Sequence, residues 1–227
     1  MGFMAGVAKT APRCLAVPPR GLIKEGTMQE NTSRYADSLA APVPRTHVHT
    51  RDVQYRGYRR EDGLWDIEAE LTDTKTYEQE KPGRGVMPAG EAVHGMVIRL
   101  TVDDGMKITD VAVGMPATPF PECHQANPPM QRLIGCTLGR GWRKAIEEAL
   151  GGTQGCAHLR ELLFNMATVG YQTIPLYLRH LRKLAGLPEP LLERPPPHIG
   201  QCVAWDFNGT VVKRVWPEFA GWKPKED

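Results

Sequence analysis

No apolar run in this sequence approaches the length needed to cross a bilayer, and no signal peptide opens it. The expectation is a soluble, cytoplasmic protein without a membrane partner. Cysteine is sparse and odd in number: five, at Cys14, Cys123, Cys136, Cys156 and Cys202, with no CxxC pair. Reduced thiols fit that count better than a disulfide scaffold. No glycine-rich phosphate loop follows a strand pattern, and neither GxGxxG nor a Walker sequence occurs. A nucleotide cofactor is therefore not expected, and a lyase or hydrolase is more natural than a dehydrogenase. No internal repeat is present. The net charge is only +2; residues 1–27 hold Lys9, Arg13, Arg20 and Lys24 against Glu25, a net +3, which leaves −1 for the rest. A nearly neutral body carries no nucleic-acid footprint.

What is present is enough for one sizeable domain. The chain has 227 residues, 41% of them hydrophobic. Residues 1–41 read as a leader that is disordered or lies ahead of the true start, with Met28 as an alternative start. Gly2 invites a myristoylation reading, but Gly6 stands where that motif needs Ser or Thr. Residues 42–220 read as a single domain and 221–227 as a tail.

Hydropathy patterning gives the elements. Residues 47–55 alternate polar and apolar, as a half-buried strand does, and residues 64–71 alternate more weakly as a second strand. Residues 79–92 are punctuated by Gly and Pro and read as a long loop. Residues 94–102 and 107–113 flank Asp103-Asp104-Gly105 and read as a hairpin. The proline-rich stretch 116–129 must be irregular. From Met130 the period turns helical, with breaks at Gly139 and Gly141 and a stop at Gly151-Gly152. A further helix runs from Cys156 toward Val169, and Pro175 is expected to kink or end it. Asn208-Gly209 between alternating segments predicts a C-terminal hairpin over 201–216. The fold class is α+β: an antiparallel sheet from the N-terminal half plus that hairpin, packed against central helices.

The chemistry gathers at Gly155-Cys156-Ala157-His158-Leu159. A thiol and an imidazole stand two residues apart at a predicted helix start, where unpaired N–H groups and the helix dipole favour a thiolate. Positions i and i+2 of a helix do not share a face, so both reach one centre only if Cys156 lies at or before the cap. The pair reads as metal ligands or as nucleophile and base. Cys123, in a rigid proline loop, and Cys202, beginning the last segment, are the candidate companions. Cys123, Cys156, His158 and Cys202 together suit zinc or an iron–sulfur centre. Cys136 lies on an apolar stripe and reads as core. His94 opens one strand pattern, and Asp73 and Lys75 end another; if the sheet joins those ends, they can act as acid, base and carboxylate anchor. His47 and His49 share one strand side but lack an indicated third ligand. Arg59 and Arg60 read as part of a solvated turn.

Several of these pieces match a family. They are Tyr58 through Glu68, Asp73-Thr74-Lys75, His94-Gly95-Met96, Arg99-Leu100-Thr101 with Asp103, Thr118-Pro119 with Cys123, Leu133-Ile134-Gly135, and above all Gly151 through Leu162. The sequence resembles the bacterial domain of unknown function 2889 family over about residues 46–217. The family commonly carries Thr where Ala157 stands. The resemblance implies domain extent and no mechanism. In layout alone, the chain is also similar to iron–sulfur scaffold proteins of the NifU type. Two functions follow as expectations: a metal- or thiol-dependent enzyme acting on a small organic substrate, or a carrier that passes a metal or iron–sulfur cluster to a metal-accepting protein. A third reading is an α+β binding module without metal. The oligomeric state is open.

Overall fold

In the computed structural model, residues 38–81, 85–188 and 192–223 are described. The basic leader over residues 1–27, Met28 and Cys14 lie outside the described residues. The chain divides into two units, residues 1–46 and 47–227, and the sheet, the helices and the site residues all belong to the second.

The alternating segments form a four-stranded antiparallel sheet. β1 (His49–Arg59) and β2 (Trp65–Lys75) pair along their full length. A two-stranded ribbon follows, β3 (Gln79–Lys81) with β4 (Gly85–Met87), inside the stretch expected to be loop. β5 (Ala92–Val102) returns beside β2, and β6 (Ile108–Ala117) completes the order β1-β2-β5-β6. On β2 the odd positions Trp65, Ile67, Ala69 and Leu71 are buried. Each faces an even position of β5: Val102, Leu100, Ile98 and Met96. Side chains on a strand alternate between faces, so these rungs make one continuous apolar face.

Helices cover that face. α1 (Trp142–Leu150) buries Trp142, Ile146 and Leu150, and α2 (Ala157–Leu184) buries Leu159, Leu162, Leu163, Met166 and Ile174. The Trp142 indole N–H donates to the Leu163 carbonyl at 2.7 Å and ties the two helices together. α2 runs against β2 in the opposite sense. Its first turns lie over the Asp73 end, Asn165 donates to the Tyr55 hydroxyl at 3.3 Å, and Tyr177 meets Trp65 edge-on at 5.8 Å between ring centroids.

Two expectations needed correction, and for Pro175 one of its two alternatives is excluded. Residues 130–138 are not α-helical. Pro128 and Pro129 start a short 3-10 helix to Leu133, and the chain then bonds back to the start of β6, with Ile108 N–H on the Cys136 carbonyl. Pro175 does not end α2. It lies on the exposed side, where water can satisfy the carbonyl it leaves unpaired, and contacts before and after it hold both halves on the sheet. The C-terminal hairpin is absent: residues 203–205 form a 3-10 turn and α3 spans Thr210–Val215. Gly209 has φ −72°, not the positive φ that a two-residue hairpin turn needs. An isolated ribbon buries too little to stand alone. Here Ile199, Val212 and Phe219 instead build a second small core flanked by Trp205, Phe207, Trp216 and Trp222. The α+β class and the antiparallel N-terminal sheet stand. Among the described residues no helix is long and apolar enough to cross a membrane.

Candidate metal centre

The apolar ladder ends in a polar rung. One step beyond Leu71 and Met96, Asp73 faces His94 across β2 and β5, and Arg51 faces Asp73 from β1. Alternation therefore points all three side chains to the helix-covered face, where Asp73 is buried at 3% exposure. Its carboxylate accepts from Arg51 Nε at Oδ1 and from Arg51 Nη2 at Oδ2, both at 2.8 Å. His49 Nε2 donates to Oδ1 at 2.9 Å, and His94 Nδ1 to Oδ2 at 3.1 Å. Burial alone would raise the Asp73 pKa, but the Arg51 and His49 bonds hold it well below the usual carboxylate range. The carboxylate is thus ionised, and both imidazoles act as donors to it.

α2 supplies the roof. Cys156 is its N-cap, with extended backbone at φ −98°, ψ 133°. That placement meets the geometric condition on the i, i+2 pair. Cys156 Sγ lies 3.7 Å from His158 Nδ1, and His158 Nε2 lies 4.0 Å from Asp73 Oδ2. The His158 and His94 rings stack with centroids 4.0 Å apart. One turn on, Glu161 accepts from Arg51 Nη1 at 2.7 Å, so the guanidinium bridges two carboxylates. Both histidines are pushed below the ordinary imidazole value. Burial is the main cause for each; His158 adds to it at His94, and Arg51 adds to it at His158. Neutral imidazoles are the form that binds metal.

Asp73, His94 and His158 each place one ligand atom within 4.8 Å of the others. Among the described residues this is the one group of three or more His, Cys, Asp or Glu side chains so arranged. Two imidazoles and a carboxylate suit a divalent ion such as zinc. The cluster contains no cysteine, so an iron–sulfur donor set is not assembled here. Cys156 stands at its edge. Cys123 shares a cleft of about 420 Å³ with Cys156, lined also by Glu122, Arg132 and Gln154. Cys202 is exposed in the C-terminal segment. Cys136 packs against the main core, as its stripe suggested. No described hydrogen bond or ion pair links Lys75 to the cluster.

Sequence reasoning missed Arg51 and Glu161, and it read His49 as part of an exposed polar face where the structure pairs it with Asp73. Extending the β1 alternation back from Val53 and Tyr55 does reach Arg51, and that was the available signal. It also missed Lys81, whose ammonium nitrogen is buried without a hydrogen-bond partner and lies close enough to His94 to oppose a proton there. Neither a curated protein nor a solved structure matches the chain. A family model matches residues 49–172, more than half of the sequence and the whole span from β1 to the middle of α2 that builds this cluster. The chain therefore belongs to the family described as "Protein of unknown function (DUF2889)".

Proposed function

We propose that this protein is a metal-dependent lyase or hydrolase acting on a small organic substrate, with a divalent ion such as zinc held by Asp73, His94 and His158. The observation that carries the reading is the convergence of those three ligand atoms within 4.8 Å at a buried sheet end. Three protein ligands leave a position for water or substrate, as catalytic zinc sites do. Arg51 and His49 orient the Asp73 carboxylate from outside the ligand set. Cys156 borders the centre, 3.7 Å from His158, and also lines the cleft it shares with Cys123. The free thiols of the described cysteines fit a reducing, cytoplasmic setting.

A second reading is favoured by one observation. Cys156, His158 and Asp73 line up as thiol, imidazole and carboxylate, with separations of 3.7 and 4.0 Å. That order suits a thiol nucleophile, its base and a positioning carboxylate without metal. Zinc titration by calorimetry separates the two. The metal reading expects one zinc per chain, lost in His94→Ala and His158→Ala and kept in Cys156→Ser. Absence of stoichiometric zinc binding, together with a thiol at Cys156 whose alkylation depends on His158, would replace it with the second.

A further inference from the structure

Lys81 ends β3 at the tip side of the small ribbon that joins the site ends of β2 and β5. Asp73 and His94 pair one rung below that insertion, and Gly90 N–H bonds the Lys75 carbonyl at 2.8 Å, which ties the ribbon to the same end of the sheet. The position is unusual for a lysine on a short surface ribbon. Its ammonium nitrogen is buried, and among the described residues it has no hydrogen-bond partner. Lysine normally keeps its head in water while burying its stem. A buried cation without a partner is costly and calls for an anion.

The local charge balance points the same way. Arg51 and Lys81 are cations set near the cluster against the carboxylates of Asp73 and Glu161. Arg51 is already committed to both carboxylates, so Lys81 is the uncommitted cation of the set. A divalent ion at the cluster would add positive charge to a partly buried site, and an anionic substrate would offset it. One ammonium point charge fits a monoanion. Phosphate dianions call for several donors or an arginine fork.

We propose that Lys81 binds the carboxylate of a small organic acid beside Asp73, His94 and His158, so that the substrate class is a carboxylate. The proposal deepens the metal reading and rests on it for the identity of the reacting centre, while the anion contact itself belongs to Lys81. Lys81 is then a binding residue that sequence alone did not reveal, held in a conformation that is costly until an anion arrives.

The test uses the full chain, metal-free and zinc-loaded, titrated by calorimetry with benzoate, its neutral counterpart benzamide, and inorganic phosphate. The expected result is that benzoate binds, benzamide and phosphate bind at least tenfold more weakly, and Lys81→Met loses benzoate binding tenfold or more. Lys81→Arg retains it within a few-fold. Lys81→Met also unfolds at the same temperature as the parent or higher, because an unpartnered buried charge is removed. The proposal is overturned if benzoate fails to bind the parent chain, if benzamide or phosphate binds as well as benzoate, or if Lys81→Met binds benzoate unchanged. A zinc titration of Lys81→Met keeps the two readings apart. Zinc binding kept in Lys81→Met leaves the metal centre standing whatever the benzoate result, absence of zinc binding by the parent chain overturns the metal centre, and the benzoate series on metal-free protein still decides the role of Lys81.

Discussion

Arg51 and Asp73 meet as a two-bond fork: Nε donates to Oδ1 and Nη2 to Oδ2, each at 2.8 Å, from directly opposed positions on β1 and β2. The same guanidinium reaches up to Glu161 on α2. One side chain thereby fixes the carboxylate of the candidate centre and ties the sheet to the helix that carries His158. Removing it leaves a buried charge with its main partner gone. Arg51→Met is expected to lower stability by about 3–5 kcal/mol, the usual cost of breaking a buried pair from one side. Arg51→Lys keeps the charge but not the fork and should fall between Arg51→Met and the parent chain. Urea unfolding at neutral pH checks both.

Acid should weaken the protein in two stages. His94 and His158 are held below the ordinary imidazole value by burial, so on acidification the unfolded chain binds protons that the folded chain refuses. Stability then falls as pH drops below about 6.5. Asp73 is held far below the usual carboxylate value, so its stabilisation is complete above about pH 4 and is lost only as pH falls through the folded pKa. Thermal unfolding between pH 7.5 and 5 should show the first stage, and the slope should flatten in a His94→Ala, His158→Ala double variant. An unchanged slope in that variant would place the acid sensitivity elsewhere.

Close packing of α2 on β1 gives a steric prediction. A Cβ built on Gly57 overlaps the Thr173 side chain. Gly57→Ala should cost about 1–3 kcal/mol through overpacking. Adding Thr173→Ala should recover part of that loss, because it removes the overlapping hydroxyl and methyl. A double-mutant cycle by urea unfolding measures the coupling.

Cysteine labelling tests the N-cap placement. Iodoacetamide followed by peptide mass mapping should find Cys202 labelled quickly, since it is exposed. Labelling of Cys156 should slow in His158→Ala, whose ring nitrogen sits 3.7 Å from the sulfur, while Cys202 is unaffected. Equal labelling of Cys156 in both chains would remove any working link between thiol and imidazole.

The second small core should be separable from the first. Phe219→Ala is expected to cost about 3–5 kcal/mol within the C-terminal segment that packs Ile199 and Val212. Hydrogen exchange should show that loss over residues 199–222, with protection of β2, β5 and the first turns of α2 unchanged. A parallel loss in the sheet would show that the two cores unfold together.

Local sequence determined much of this protein. Alternation over β2 and β5 is a property of neighbouring residues, and it survives into the sheet because one face has helices to cover it, while β1 pairs along β2 as an edge strand that stays largely exposed. The helix after Cys156, and the need for that cysteine to sit at the cap, followed from helical geometry alone. Asp73, His94 and His158 were each marked as chemical residues by type and position. Other features depended on contacts between distant segments. Whether Asn208-Gly209 turns a hairpin or caps a helix depends on whether a sheet edge is available, and here the aromatic cluster offered a better burial. Whether Pro175 breaks α2 depends on what holds its two halves, and Gly57 and Trp65 lie far away in sequence. The partners of His158 were decided in the same way. Proximity in sequence suggested cysteines, but strand register brought Asp73, His94 and Arg51 to one rung and α2 laid His158 over them. Sequence fixes which groups can do chemistry, and only the pairing of distant strands decides which of them share a centre.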